Sequence, residues 1–479
     1  MSKKLLMGNE AIAFGAIKAG VNVVSGYPGT PSTEVLETIA KNNPGDIYVE
    51  WSVNEKVAME VAAGAAYAGS RTLVTMKQVG LNVASDPLMS LSYIGVKGGM
   101  VVLVADDPGP FSSQTEQDTR HYAKFANLPV FDPSSPEEAY EMIQSAFELS
   151  EKVKKPVFLR PTTRICHSCS TIDLSEERLI HKADGFVKDI SWVIFPALSY
   201  KKHVQIEELQ ETLSTLFDDV SYNSINGTGK KGIAASGVAY AYIKEVLTKM
   251  NKEIKLFKVG TPYPLPKKSA LKFMEGLDEV LVLEELDPVI EEGLLELCAV
   301  NKLNTVIKGK KTGNLPCAGE YSFELVKSAF LKFINEEEKD CASSVKAPQL
   351  PVRPPVLCAG CPHRASFYAV KNALKGQKAV FSGDIGCYTL GNAKPLDMVD
   401  TCLCMGAGIT IAQGLQRSEP DVKHLAFIGD STFFHTGIPG VINAVYNNTD
   451  ITVIILDNST TAMTGHQPHP GTGKTMMGS

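Results

Sequence analysis

Short apolar or β-branched runs alternate with longer amphipathic stretches through the first third of the chain. Residues 22–24, 47–51, 72–76, 100–104 and 157–159 read as strands, with helices between them. That order predicts a doubly wound, parallel α/β sheet. Polar, charged sequence follows from 173 to about 231, with a helical pattern at 206–219 and a Ser/Asn/Gly/Lys-rich run at 222–231 that reads as a loop. A second α/β pattern then begins, with strands at 232–235, 254–258 and 280–283 and helices at 238–250, 267–275 and 289–297. Residues 336–355 turn charged and then proline-rich, the composition of an extended connector. A third pattern has strands at 379–381, 425–428 and 451–456 and helices at 364–374, 405–416 and 436–446. The expected organisation is therefore a domain at 1–170, a middle domain at 171–335, a linker at 336–356 and a third domain at 357–479. The sequence stops in a Gly/Thr/Met segment with no closing strand or helix in its pattern, which reads as a fragment.

Composition narrows the class without changing that layout. A chain of 479 residues suits about three domains. With 44% hydrophobic and 21% charged residues and a net charge of −6, it is expected to be globular, with no polybasic surface for nucleic acid. The longest apolar runs, such as 100–105 and 451–456, fall far short of the roughly 18 residues of a membrane span. Gly8, Asn9 and Glu10 interrupt the apolar start before it reaches the length of a secretory signal, so a cytoplasmic protein is expected. Ten cysteines in such a chain point to thiols as metal or redox ligands rather than to a disulfide framework.

The most informative stretch joins two strand ends. Gly429, Asp430 and Ser431 close one strand, and Asn458 and Thr460 follow the next. A carboxylate, an amide oxygen and a main-chain carbonyl make a donor set suited to magnesium against a diphosphate, and Gly429 would let phosphates approach the backbone. The competing local account makes Asp430 a helix cap and Asn458 a turn residue. The spacing resembles the thiamine-diphosphate signature, Ser431 standing for its second glycine. Such a cofactor needs a carboxylate at its aminopyrimidine, and Glu55 stands where a strand gives way to a helix. Ser52 and Glu55 also fit a Ser-x-x-Glu capping box, which needs no ligand.

Cys358-x-x-Cys361 is a chelating pair, with zinc and an iron–sulfur cluster as competing occupants. Cys166-x-x-Cys169 has no apparent partner pair, and Arg160 and Arg164 beside it are expected in salt bridges at a domain interface. Arg120 follows the strand at 100–104 and is a candidate for a substrate carboxylate, set against an exposed charged loop. Of His363, His435 and His466 near the proposed cofactor segments, His363 is favoured as a substrate contact. Residues 471–475 lack the first glycine of a nucleotide phosphate loop and are set aside.

Gly26-Tyr-Pro-Gly-Thr30-Pro-Ser-Thr-Glu34 resembles the Tyr-Pro-x-Thr-Pro-Ser segment of the 2-oxoacid:ferredoxin oxidoreductases, although locally Thr30 and Pro31 also read as helix cap and first helical residue. The resemblance extends through Glu55, Cys358-Ala-Gly-Cys361-Pro-His363-Arg364, 383–391, Gly429-Asp430 and Thr464-Gly-His-Gln467. Within that family the domain order is similar to alpha subunits of the indolepyruvate branch, which fuse a pyrimidine domain, a transketolase-C-terminal-like middle domain and a diphosphate domain. The resemblance implies thiamine diphosphate and Mg2+, with Glu55 activating the cofactor, Thr30 facing the keto acid, Gly386, Gly429 and Ser431 beside the cofactor, and Asp430, Asn458 and Thr460 on the metal. It implies Cys387 as a third ligand of a 4Fe-4S cluster with Cys358 and Cys361, the fourth being Cys402, Cys404 or a residue beyond Ser479. Gly29 replaces a bulkier residue of pyruvate-specific relatives, consistent with room for an aryl side chain. The implied reaction is oxidative decarboxylation of an aryl 2-oxoacid to aryl-acyl-CoA and carbon dioxide, with electrons passing to ferredoxin and a separate indolepyruvate oxidoreductase beta subunit in a hetero-oligomer. The family pattern ends in a ferredoxin-like domain with two four-cysteine motifs, absent from this sequence. A non-redox thiamine decarboxylase or carboligase and a non-catalytic electron-transfer or scaffold subunit are the alternatives.

Overall fold

The computed structural model describes residues 2–174, 177–337 and 348–478, so much of the expected connector, 338–347, lies outside the described residues. The chain divides into two compact units, residues 1–50 with 55–340 and residues 51–54 with 341–479.

The first unit opens with β1 (Ser2–Met7) and continues into a six-stranded sheet built from β2 (Val23–Gly26), β3 (Tyr48–Trp51), β4 (Thr72–Lys77), β5 (Met100–Ala105), β6 (Val130–Phe131) and β7 (Val157–Leu159). Its order is β3-β2-β4-β5-β7-β6, and β2, β4, β5, β7 and β6 run parallel. Every residue of β5 is buried, as an all-apolar central strand covered on both faces by helices must be. β1 pairs antiparallel with β8 (Cys169–Leu174), aligning Ser2 with Leu174 and Met7 with Cys169. The sequence pattern shows neither strand, because one face of the pair is solvated and Leu5 is left exposed.

A five-stranded sheet follows in the same unit. β9 (Asn223–Asn226), β10 (Lys231–Ala235), β11 (Lys255–Val259), β12 (Glu279–Leu283) and β13 (Val306–Lys308) lie in the order β13-β12-β10-β11-β9, with β9 antiparallel at the edge. β9 occupies part of the run that reads as a loop. Its polar Asn-Ser-Ile-Asn sequence suits an edge strand whose partner, β11, supplies the apolar face. The two sheets are joined where Val130 N donates to the Tyr263 carbonyl and Asp132 N to that of Gly260, both at 2.8 Å.

The second unit carries a parallel sheet of β14 (Ala379–Ser382), β15 (Lys423–Gly429) and β16 (Thr452–Leu456), in that order. Phe367, Tyr388, Phe427 and Leu456 fill one face and Ile409, Ala412, Ala426 and Ile428 the other. Helical structure after β15 begins at Asp430, six residues before the expected start at 436, and widens into a π turn over Phe433–Gly437. Among the described residues no helix is long and apolar enough to cross a membrane.

Candidate active site

The register of β15 and β16 sets Gly429 opposite Leu456, so the residues that follow the two strands emerge side by side at one sheet edge. Asp430 Oδ1 accepts from the Ser431 amide at 3.0 Å and Oδ2 from the Asn458 amide at 3.3 Å. Asn458 Oδ1 accepts from Thr460 N at 3.2 Å, and Ser431 Oγ from Thr461 Oγ1 at 2.9 Å. Asp430, Ser431, Asn458 and Thr460 thus come together. Their oxygens are the hard donors magnesium prefers, so the set fits that ion.

Two residues that sequence reasoning missed complete this edge. His469 Nε2 lies 3.0 Å from Asp430 Oδ2, and both side chains are buried. Gly471 N donates to His469 Nδ1 at 3.2 Å, which leaves the proton on Nε2 and makes that atom the donor to Asp430. The Asp457 carboxyl beside it is held below the usual carboxylate range chiefly by the Ser459 amide. His363 is buried against the same group, its Nε2 3.5 Å from Asn458 Nδ2; burial lowers its pKa, and the Asp430 charge opposes that shift.

Two of the expected glycines stand against one aromatic ring. A Cβ on Gly429 would stand 2.2 Å from Tyr388 Cε1, and one on Gly386 2.5 Å from the same atom. The space these glycines leave on their Cβ side is filled by the Tyr388 ring. The Tyr388 hydroxyl ties the ring in place, donating to the Ile385 carbonyl at 2.7 Å with Thr432 Oγ1 at 2.6 Å.

The thiols gather without closing. Burial raises the Cys387 thiol, and Cys358 and Cys361 raise it further, so the three lie within electrostatic reach. Burial also raises the Cys402 and Cys404 thiols, and there the added push comes from Asp384. Among the described residues no three His, Cys, Asp or Glu side chains are placed to hold an ion. A four-iron cluster wants four thiolates, and the described cysteines do not provide that set.

In the first unit Glu55 is the first residue of the helix Glu55–Tyr67, not its third, so Ser52 and Glu55 are out of register for a capping box. The carboxylate is buried against Gly80, where a Cβ would stand 2.5 Å from Glu55 Oε1. Thr30 is not a helix cap either, since Ser32 occupies that position before the helix Thr33–Lys41. It lines a cavity of about 360 Å3 with Pro31, Asp107, Ser112, Arg164 and His167. At Gly29 the Lys77 stem lies alongside, its Cγ 3.0 Å from where a Cβ would be.

Arg120 is no substrate contact and sits on no exposed loop. It is fully buried, gripping Asp118 through Nη2 at 2.6 Å and Glu284 through Nη1 at 2.7 Å, and it donates to the Glu285 and Asp287 carbonyls at 2.9 and 2.8 Å. Burial alone would lift the Asp118 carboxyl, but Arg120 and Arg160 pull it well below the usual range. Arg160 pairs with Asp106 at 2.7 Å and Arg164 with Glu320 at 2.7 Å, both in salt bridges as expected. Cys166 is buried and Cys169 exposed, and both thiols are free.

Residues 14–192 match the family model described as pyruvate flavodoxin/ferredoxin oxidoreductase, thiamine diphosphate binding, and residues 384–479 match the C-terminal binding domain of thiamine pyrophosphate enzymes. Indolepyruvate oxidoreductase subunit IorA of Archaeoglobus fulgidus is 44% identical over 98% of this chain and 77% of its own length. The subunit of the same name from Methanothermobacter marburgensis is 45% identical over 97% of this chain and 76% of its own. The chain belongs to the IorA family. It is therefore an oxidoreductase of the thiamine-diphosphate-dependent kind. The structure of a 2-oxoglutarate:ferredoxin oxidoreductase from Magnetococcus marinus has the same fold, at a TM-score of 0.54 and 18% identity over 69% of this chain and 65% of that one.

Proposed function

We propose that this chain is the thiamine-bearing subunit of an enzyme that oxidatively decarboxylates aryl 2-oxoacids, forming aryl-acyl-CoA and carbon dioxide and passing electrons to ferredoxin. The observation that carries the reading is the meeting of Asp430 and Asn458 at neighbouring strand ends, inside the segment that matches thiamine pyrophosphate enzymes. Thiamine diphosphate, when bound, supplies a nucleophilic carbon and a sink for the electrons released with carbon dioxide. Asp430, the Asn458 amide oxygen and the Thr460 carbonyl would hold the Mg2+ that neutralises its diphosphate. His469 keeps the Asp430 carboxylate aimed. Glu55 would hold the proton at the aminopyrimidine ring nitrogen, and burial against Gly80 leaves that carboxylate little freedom to swing away. Thr30, on its cavity, faces the keto-acid end of the substrate. His363 lies too deep beside Asn458 to serve as more than a support for that residue.

A beta subunit in a hetero-oligomer, coenzyme A and ferredoxin complete the expected system. Anaerobic assembly with that subunit, thiamine diphosphate, Mg2+, indolepyruvate and coenzyme A should reduce ferredoxin or a viologen dye; no reduction by the loaded complex refutes the reading. The rival reading is a non-redox thiamine decarboxylase. An aldehyde product from complex with substoichiometric iron would establish that rival.

A further inference from the structure

Ligands of open α/β sheets bind beyond the carboxyl ends of the strands. At that edge of the first unit stand Gly29 and Thr30 after β2, Lys77 at the end of β4, and Asp106 and Asp107 after β5. A 2-oxoacid brings a carboxylate to such an edge, and some cation must receive it. Arg120 is fully buried and held by Asp118 and Glu284, and Arg160 is buried among Asp106, Asp118 and Asp132, its one unbonded donor, Nη2, facing Asp118 at 3.9 Å. Arg164 is chelated by Glu320 through two hydrogen bonds, at 2.8 and 2.7 Å.

Lys77 differs from all three. Its stem is clamped on Gly29, with Cγ and Cδ 3.0 and 3.3 Å from where a Cβ would sit, so the direction of its head is fixed by packing. Its ammonium donates to the Ser112 carbonyl at 2.9 Å, and Ser112 lines the Thr30 cavity. Among the described residues the ammonium forms no salt bridge within 4.0 Å, although an ammonium carries three donors. The nearby Asp107 is already engaged, Oδ2 accepting from Ser112 N at 2.8 Å and Oδ1 from Thr163 Oγ1 at 2.6 Å. Burial lowers the Lys77 pKa, and Asp107 and Glu55 oppose that shift. A second anion beside this ammonium would therefore be welcome.

We propose that Lys77 receives the carboxylate of the 2-oxoacid next to Thr30, and that glycine at position 29 exists to seat the lysine rather than to admit an aryl ring. The proposal rests on the 2-oxoacid reading given above. A carboxylate held this way is recognised in the ground state, and its negative charge leaves that position when neutral carbon dioxide departs and the electron pair stays with the remaining carbon, so Lys77 acts on substrate capture more than on the bond-breaking step.

The test uses the complete complex loaded with thiamine diphosphate and Mg2+, comparing wild type with K77M, K77R and G29A. The probe is indole-3-propionate, which keeps the carboxylate and ring and lacks the keto group, alongside its neutral amide. K77M should weaken inhibition by the acid at least tenfold and raise KM more than it lowers kcat, while leaving inhibition by the amide and the affinity for thiamine diphosphate unchanged. K77R should recover most of the acid's affinity, and G29A, which displaces the lysine without removing its charge, should fall between. Unchanged acid affinity in K77M overturns the proposal, as does lost thiamine diphosphate affinity with the acid still bound, since that would make Lys77 a partner of Glu55. Failure of the 2-oxoacid reading itself looks different: the wild-type complex would then neither turn over indolepyruvate nor bind the acid.

Discussion

Replacing Arg120 by methionine separates a structural arginine from a substrate-binding one. The change keeps the apolar stem and removes the guanidinium from Asp118 and Glu284, whose side chains are essentially without solvent. Breaking a buried ion pair by deleting one partner costs about 3–5 kcal/mol, because the remaining charge stays buried. Here two charges remain, yet each keeps other donors. Arg160 Nη2 stands 3.9 Å from Asp118, the Asp287 amide donates to Asp118 at 3.0 Å, and the Ile290 and Glu291 amides donate to Glu284 at 3.0 Å each. The cost should therefore fall near the lower end, about 3 kcal/mol. A unit of roughly 330 residues unfolds with an entropy of about 0.7 kcal/mol/K, so R120M should lower Tm by about 4 °C. Calorimetry of the apo chain at pH 7.5 reads this directly, and adding E284Q should return part of the loss by removing one stranded charge. KM for the 2-oxoacid, measured on folded R120M complex, should stay within threefold of wild type. A Tm shift under 1 °C, or a stable variant with KM raised more than tenfold, refutes the structural assignment and returns Arg120 to the substrate.

Gly80→Ala puts a methyl carbon 2.5 Å from the present position of Glu55 Oε1, so turnover should fall at least a hundredfold, as in E55Q, while the melting curve changes little; matching activities of G80A and wild type would show that Glu55 is not held there. His469→Ala should raise the Mg2+ concentration needed for half-maximal thiamine diphosphate binding about tenfold without unfolding the second unit, as followed by calorimetric titration; an unaltered requirement removes His469 from the site. Burial pushes the Glu285 carboxyl up to about 7. The folded chain therefore binds a proton that the unfolded chain releases between about pH 4.5 and 7, and this group's contribution to stability declines as pH rises through that window. Thermal melts from pH 5 to 8 should show a shallower decline in E285Q than in wild type, and identical profiles would contradict the burial effect.

Much of the fold is legible because parallel strands buried on both faces must be apolar throughout. β5 and β7 read directly from Met100–Ala105 and Val157–Leu159. β1, β8 and β9 escape the same reading because they are edge or antiparallel strands with a wet face, and the Asn-rich β9 takes its apolar neighbours from another part of the chain. Asp430 and Asn458 are found together since a strand end followed by a ligating residue is a local pattern. His469 lies 39 positions from its partner and Lys77 meets Gly29 through packing alone, so no local spacing announces either. Arg120 misleads for a related reason. An arginine after a strand looks like an anion receptor until the distant Glu284 is brought against it by the second sheet.

The pairing of β1 with β8 has a consequence for biosynthesis. β1 aligns with residues 169–174, so during synthesis it stays without that partner until more than a hundred and sixty further residues have been made. Closing so long a loop is a modest entropic toll, growing only as the logarithm of its length, but it cannot be met early. Nascent chains halted before β8 emerges would therefore carry Ser2–Met7 as a protease-accessible thread, and its protection marks the moment the amino-terminal layer is sealed.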